Sequence, residues 1–284
     1  MIKIPEDFKI GLSLSGGAAY GIAHIGVLKA LREFGIEPDY LYGTSAGAVA
    51  AVLYASGASI RDMKKFVEGI DFLSVRKFRF SPVGLLPLTY LQKRVAEFVP
   101  YENLEDLPRK TMIGVTNLET GFHESLETGP ISSAVSASCG VPVVFSPTEH
   151  NGNIYVDGGV SNNMPALPLH KYCDFIMGCD VVEAAPLDRK YFKDFRKIFE
   201  RTLTISLTNR TTFNYMDCDF VIRPQGLSRF GKFDISQLPQ MFPIGYNQTL
   251  IDLPDILDGI QQKIKEKMEL NKMAKLRDGS IEQN

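Results

Sequence analysis

The chain has 284 residues, 44% of them hydrophobic and 23% charged, with a formal net charge of -2. That size and balance suit one globular domain, or a domain and a half, with a full core, and the slightly acidic charge argues against a nucleic-acid binder, which would carry a basic domain. No run of about 18 apolar residues occurs, so no membrane span is predicted, and Met1–Asp7, broken by Pro5 and two acids, does not read as a secretory leader.

Phe8, Ile10, Leu12 and Leu14 alternate with small residues, predicting a first buried strand that ends at Ser15. The glycine loop Ser15-Gly16-Gly17-Ala18-Ala19-Tyr20-Gly21 follows at once. Ile22, Ile25, Leu28 and Leu31 then recur at helical spacing, which predicts a helix over about 20–34 with Gly35 to stop it. Asp39-Tyr40-Leu41-Tyr42 is short and strand-like, Gly43-Thr44-Ser45-Ala46-Gly47 interrupts, and Ala48–Tyr54 is a good helix. This β-α-β-α order implies parallel strands with helices packed on the faces. Both loops then lie beyond strand carboxyl ends, the side on which such sheets bind ligands.

A helix over 59–67 is followed by an aromatic, basic and apolar stretch, 72–88, without a clear period. One reading is a cap resting on a membrane surface, with Arg76, Lys77 and Arg79 at lipid phosphates and Phe78, Phe80, Leu85 and Leu86 in the interface. The preferred one is a long loop folded onto the core. Next come a helix at Thr89–Phe98, a hairpin of Lys110–Asn117 with Gly121–Glu127, and a helix of small residues, Ile131–Cys139, opened by Pro130. Ile154-Tyr155-Val156 is a short strand running into Asp157-Gly158-Gly159, and Asp174–Val182 reads as a last parallel strand. Beyond it the pattern predicts a helix near 195–207, a strand at 220–222, and a basic helix over about 254–277. That helix has Pro254 in its first turn and Ile256, Ile260, Ile264 and Met268 on one stripe, the pattern of a helix docked on the surface.

Strand, Gly-x-Ser-x-Gly, helix is the context of a nucleophile elbow, with Ser45 as the nucleophile. A serine hydroxyl needs an adjacent base. Only His170 follows Asp157 in the order that histidine-dependent elbow enzymes use, and it sits at the end of a short helix, a structural setting. A desolvated carboxylate can serve instead; Asp157 is the candidate, although Asp-Gly is also a plain turn signal. The amides of Gly16, Gly17 and Ala18 follow a strand and precede a helix, so they should converge on a point near Ser45, where an oxyanion would form. His24 is placed to support that loop. No Lys-Ser or Lys-Thr follows Gly21, which excludes a phosphate-binding P-loop, and the glycine spacing is not that of a dinucleotide fold. Cys139, Cys173, Cys179 and Cys218 form no metal-like spacing and read as buried thiols of a reducing compartment.

Taken in order, four motifs resemble the bacterial patatin-like phospholipases, a family of lipid acyl hydrolases. They are the glycine loop with His24-Ile25-Gly26-Val27-Leu28, Gly43-Thr44-Ser45-Ala46-Gly47, Ala137-Ser138-Cys139-Gly140-Val141-Pro142 with Phe145 and Pro147, and Asp157-Gly158-Gly159-Val160-Ser161-Asn162-Asn163-Met164-Pro165. The likeness covers about residues 9–182 of a chain expected to be a single domain over 1–284. It implies a three-layer α/β/α fold with a mostly parallel central sheet, and a Ser45–Asp157 dyad without histidine. It further implies an oxyanion loop of Gly16, Gly17 and Ala18, no metal and no cofactor. The expected activity is that of a phospholipase A or lysophospholipase on a lipid or acyl-ester substrate. The expected setting is cytoplasmic, with peripheral membrane contact through 72–88. A soluble short-chain esterase or thioesterase, and a catalytically weak lipid-binding protein, remain alternatives. Two departures matter. Ala18 stands where the family usually has a third glycine, which is tolerable if its φ stays negative, and Tyr20 stands where it usually has Arg or Lys, which removes a cation.

Overall fold

The computed structural model describes residues 3–69, 88–232 and 234–277. At its centre is β1 (Ile10–Leu14), buried at every position because it is flanked on both sides and covered on both faces. Strand β2 (Tyr40–Thr44) and strand β7 (Phe175–Cys179) pair with it in parallel, β3 (Lys110–Asn117) joins β2 in parallel, and β8 (Phe220–Ile222) joins β7 in parallel. The strands β4 (His123–Leu126), β5 (Thr148–His150) and β6 (Asn153–Asp157) run antiparallel, so the sheet is mixed with a parallel middle.

Helices cover both faces unequally. The larger core lies under α1 (Ile22–Glu33), α2 (Ala46–Ala55), α3 (Ile60–Glu68), α4 (Thr89–Phe98) and α5 (Ile131–Ser138). The helix α2 is apolar on every side, the pattern of a helix buried all round. The smaller core holds Tyr42, Met112, Ala166, Leu169 and Ile176. A longer helix than the sequence pattern indicated, α6 (Phe195–Asn214), precedes β8.

The last helix, α7 (Leu238–Arg277), starts well before Pro254 and contains both Pro243 and Pro254. It crosses α1 where both helices present glycine. A Cβ on Gly245 would stand 2.0 Å from the Ala23 carbonyl oxygen, and one on Gly26 would stand 2.3 Å from that of Phe242. The predicted stripe docks as far as Ile264; Ile256 and Ile260 are fully buried while Met268 is exposed. Two of its lysines are tied to acids on the sheet's rim, Lys263 to Asp219 at 2.9 Å and Lys267 to Asp174 at 2.8 Å. The stretch 72–88, read above as cap or loop, falls almost entirely outside the described residues. No described helix is long and apolar enough to cross a membrane. The four cysteines are free, with Cys179 buried and the other three half-buried.

Candidate active site

Ser45 follows β2 directly and caps α2 with φ 52 and ψ -119. That conformation is sparsely populated for any residue with a Cβ and costs roughly 1–3 kcal/mol, so its surroundings must hold it. They do so in two ways. The backbone packs too closely for side chains: a Cβ on Gly47 would lie 2.1 Å from the Leu14 carbonyl oxygen, and one on Gly43 would lie 2.4 Å from that of Gly47. Then the Ser45 amide donates to Ser138 Oγ at 2.7 Å, and that hydroxyl donates to the Gly114 carbonyl at 2.6 Å. Ser138 is fully buried. Ser138→Ala leaves the Ser45 amide without an acceptor, so a loss of about 1–3 kcal/mol is expected. A lower urea midpoint together with slower ester hydrolysis would show it.

Strand β3 is the ruler that brings Asp157 to Ser45. Its residue Gly114 pairs with Thr44, the last residue of β2, and its next residue, Val115, pairs with Asp157. Since β4 occupies the opposite edge over Ile113–Thr116, β6 takes the edge that β2 vacates when the chain turns into the elbow. Gly158 lies so near that a Cβ on it would be 2.2 Å from the Gly114 carbonyl oxygen.

The Asp157 carboxylate lies within reach of the Ser45 hydroxyl, which favours its charged form, and the Gly159 amide donates to Asp157 Oδ1 at 2.8 Å. Asp157 is 6% exposed. Burial pushes its carboxyl up to about 6, against the opposing pull of the Ser45 hydroxyl and the Gly159 amide. Cys139 also contacts the Ser45 hydroxyl, and burial, reinforced by the nearby Asp157 charge, keeps its thiol protonated.

The glycine loop packs against the same serine. A Cβ on Gly16 would stand 3.1 Å from Ser45 Cβ and 2.6 Å from Asn163 Oδ1. The Gly16 amide donates to the Asn163 carbonyl at 3.2 Å, and that of Ala19 to the Lys232 carbonyl at 2.9 Å. Between them, the amides of Gly17 and Ala18 have no protein acceptor among the described residues. Ala18 has φ 50, so the condition that its φ stay negative is not met; the turn holds a left-handed alanine where glycine would be unstrained. His24 supports the loop as anticipated, with Nε2 at 2.8 Å from the Ser15 carbonyl and Nδ1 at 3.2 Å from Cys179 Sγ.

The histidines are engaged away from Ser45. His170 Nε2 meets the Asp217 carbonyl, His123 sits between Tyr42 and Ser161, and His150 lies between Ser133 and Thr128. No group of His, Cys, Asp or Glu able to hold a metal ion occurs among the described residues.

Two residues here escaped the sequence reading. Asn163 is 1% exposed, and both atoms of its side-chain amide lack a partner. It lies between the loop and the carboxylate: Asn163 Oδ1 would be 3.0 Å from a Cβ on Gly159, as would Asp157 Oδ1. Its place in Asn162-Asn163-Met164-Pro165 was the available signal. Lys232 had none. Its ammonium lies 6.0 Å from the centre of the Tyr20 ring and 2.6 Å from Thr204 Oγ1, with burial pulling its pKa down to about 8. A cation from far along the chain thus stands beside the tyrosine that replaces the usual one.

Comparison with known proteins bears on the family and the fold. The family model described as Patatin-like phospholipase matches residues 12–170. An uncharacterized NTE family protein of Mycobacterium tuberculosis is 33% identical over 161 residues, covering 55% of this chain and 27% of that protein. The lysophospholipase NTE1 of Candida glabrata is 29% identical over 188 residues, 64% of this chain and 11% of that protein. The matched region therefore spans well under half of these curated relatives. In fold, the chain is similar to the crystal structure of VipD from Legionella pneumophila, with a TM-score of 0.52 at 18% identity, over 89% of this chain and 67% of that one.

Proposed function

The chain belongs to the patatin-like phospholipase family, and from that membership we propose that it is a serine hydrolase of lipid acyl esters, of phospholipase A or lysophospholipase type, working through Ser45 and Asp157. The observation that carries this reading is that β3 brings a buried carboxylate, Asp157, beside the elbow serine, and burial pushes its pKa up to about 6. A base of that strength is ionised at neutral pH yet accepts a proton more readily than an exposed carboxylate.

In the proposed reaction Asp157 takes the hydroxyl proton as Ser45 Oγ bonds to the ester carbonyl carbon. The carbonyl oxygen becomes an oxyanion facing the amides of Gly17 and Ala18, while Gly16 holds the loop through Asn163. Collapse of the intermediate breaks the ester C–O bond, and protonated Asp157 returns its proton to the leaving alcohol. Water, deprotonated by the same carboxylate, then attacks the acyl-serine; the Ser45 Oγ–acyl bond breaks, Asp157 returns the proton to Ser45 Oγ, and the fatty acid leaves. Each step uses a group already placed by the backbone, so little reorganisation accompanies the charge that develops.

Asn163 fits this scheme as a further donor through Nδ2, which has no partner, while its Oδ1 is the atom that faces Gly16 and Gly159. Asn163→Ala is expected to lower kcat by about 10- to 1000-fold with little change in KM. Asn163→Asp puts a second carboxylate beside Asp157 and should move the acid limb of the pH profile upward. Unchanged kcat in a folded Asn163→Ala protein would remove it from the scheme.

Lipid profiling tests the reading as a whole. Wild type and Ser45→Ala are incubated with phospholipid and lysophospholipid vesicles and with p-nitrophenyl esters of increasing chain length. Release of fatty acid from the lipids by wild type alone is expected. Turnover confined to the shortest esters would replace the lipid reading with that of a small-ester hydrolase.

A further inference from the structure

Helix α6 leaves large apolar side chains in water on its outward side. Its inward face carries Glu200, Thr204, Leu207 and Thr211, with Thr204 and Thr211 buried. Its outward face carries Phe195, Ile198, Ile205 and Phe213, exposed at 68%, 49%, 42% and 73%. These four lie within one stripe at helical spacing, which Met216 extends just past the helix end at 82% exposed. A surface helix normally turns its apolar stripe inward, and an apolar patch left in water marks an interaction site.

The surroundings say what kind of partner fits. Arg189, Lys190 and Lys193 are exposed on the turn that leads into the helix, and Lys197 and Arg201 continue the positive charge along it. The exposed acids among them, Asp188 and Asp194, are outnumbered by these cations. Asp188 and Asp194 accept the amides of Lys190 and Lys197 at the starts of their own helical turns, and Glu200 faces inward to the Tyr191 hydroxyl. Apolar side chains bordered by cations are the pattern of a helix lying in the interface of an anionic membrane. The inner side of the same helix reaches the candidate active site. A Cβ on Gly159 would meet Leu207 Cδ2 at 2.8 Å, and Arg210 Nη1 donates to the Ser161 carbonyl at 2.8 Å.

We propose that the outward face of α6, together with the basic turn before it, docks the protein on an anionic lipid surface and so sets the Ser45–Asp157 cleft against its substrate. The inference rests on the lipid-hydrolase reading for its purpose but is tested apart from it. The chain contains no tryptophan, so one introduced tryptophan reports its own surroundings. Ile198→Trp is made in the Ser45→Ala background, with Phe34→Trp, just past the last turn of α1, as the control. Each is mixed with vesicles of phosphatidylcholine alone and of phosphatidylcholine with an equal share of phosphatidylglycerol.

On the anionic vesicles the indole emission of the Ile198→Trp protein is expected to shift to the blue and to be quenched by brominated lipid. Salt should weaken both effects, and the emission of the Phe34→Trp protein should not change. Sedimentation with the same vesicles should fall by about tenfold or more for a Phe195→Ser, Ile198→Ser, Ile205→Ser protein and for Lys190→Glu, Lys193→Glu. Hydrolysis of a soluble short-chain ester by these surface variants should be unchanged when Ser45 is present. The proposal would be overturned if the Ile198→Trp protein bound vesicles while its indole stayed in water. Binding indifferent to lipid charge, or no binding at all, would overturn it too. So would a lipid-free blue shift that grows with protein concentration, which would mean that a second copy covers the face. Vesicle docking without any ester hydrolysis would uphold this inference and defeat the catalytic one.

Discussion

Ser45→Ala is expected to reduce hydrolysis of a p-nitrophenyl ester by roughly four to six orders of magnitude, the scale on which a covalent nucleophile is lost. The variant should fold as well as wild type. Ser45 holds φ 52 against its backbone preference, and alanine meets the same penalty without gaining or losing a backbone contact. The hydroxyl's neighbours are the Asp157 carboxylate and the Cys139 thiol, and neither is a backbone group on which the fold depends. A fluorophosphonate probe should label wild type once, at Ser45, and leave the variant unlabelled. If Ser45→Ala retained even a tenth of the wild-type rate in a sample free of other esterases, the nucleophile would lie elsewhere and the proposed reaction would have no first step.

Asp157→Asn should lose activity by about 10⁴-fold or more, since a side chain that cannot accept the proton replaces the base. The wild-type profile carries the same information. With the carboxyl titrating at about 6, kcat/KM should fall tenfold per pH unit below that point and level off above it. A flat profile from about pH 4 to pH 8 would exclude Asp157 as the base.

Stability should move the opposite way. The folded-state pKa of Asp157 is raised from 3.8 to about 6 by burial, so the charged form is disfavoured in the folded protein. This group's contribution is most favourable below the unfolded pKa and is lost as pH rises through about 6. The difference amounts to roughly 3 kcal/mol at neutral and higher pH. Asp157→Asn removes that burden and should unfold at higher urea than wild type at about pH 8, with the gap closing toward about pH 4. His170→Ala, by contrast, should leave the rate unchanged, since its ring meets the Asp217 carbonyl on an exposed turn.

Most of the sheet could be read from the chain because its signals are local. A fully apolar strand, a glycine loop and a helix of 3.6-residue period each depend on neighbours within a few positions, and β1, α1, β2 and the elbow fall where that pattern puts them. The ends of α6 and α7 were not legible. The helix α6 runs past Leu207 through threonines, weak helix formers whose hydroxyls return to the carbonyls four residues back, so local propensity did not mark its end. Two prolines sit inside α7 where a sequence reading would start or stop a helix, and packing against α1 outweighs their local cost. The outward apolar stripe of α6 was likewise hidden, since periodicity reveals that a helix has two faces but not which one meets the core.

The sequence by itself determined the chemical candidates: a serine on a turn that only small neighbours allow, a carboxylate at a strand end, and a loop of amides after the first strand. Backbone stereochemistry over a few residues is enough to settle those. Only the tertiary structure decided that they meet. Asp157 lies 112 positions beyond Ser45 in the chain, and their approach depends on β6 replacing β2 along one edge of β3. It also depends on the loss of water that raises the carboxyl pKa, on Gly16 giving its amide to Asn163, and on Lys232 arriving beside Tyr20. Those are effects of pairing and burial between distant segments, which no local pattern encodes.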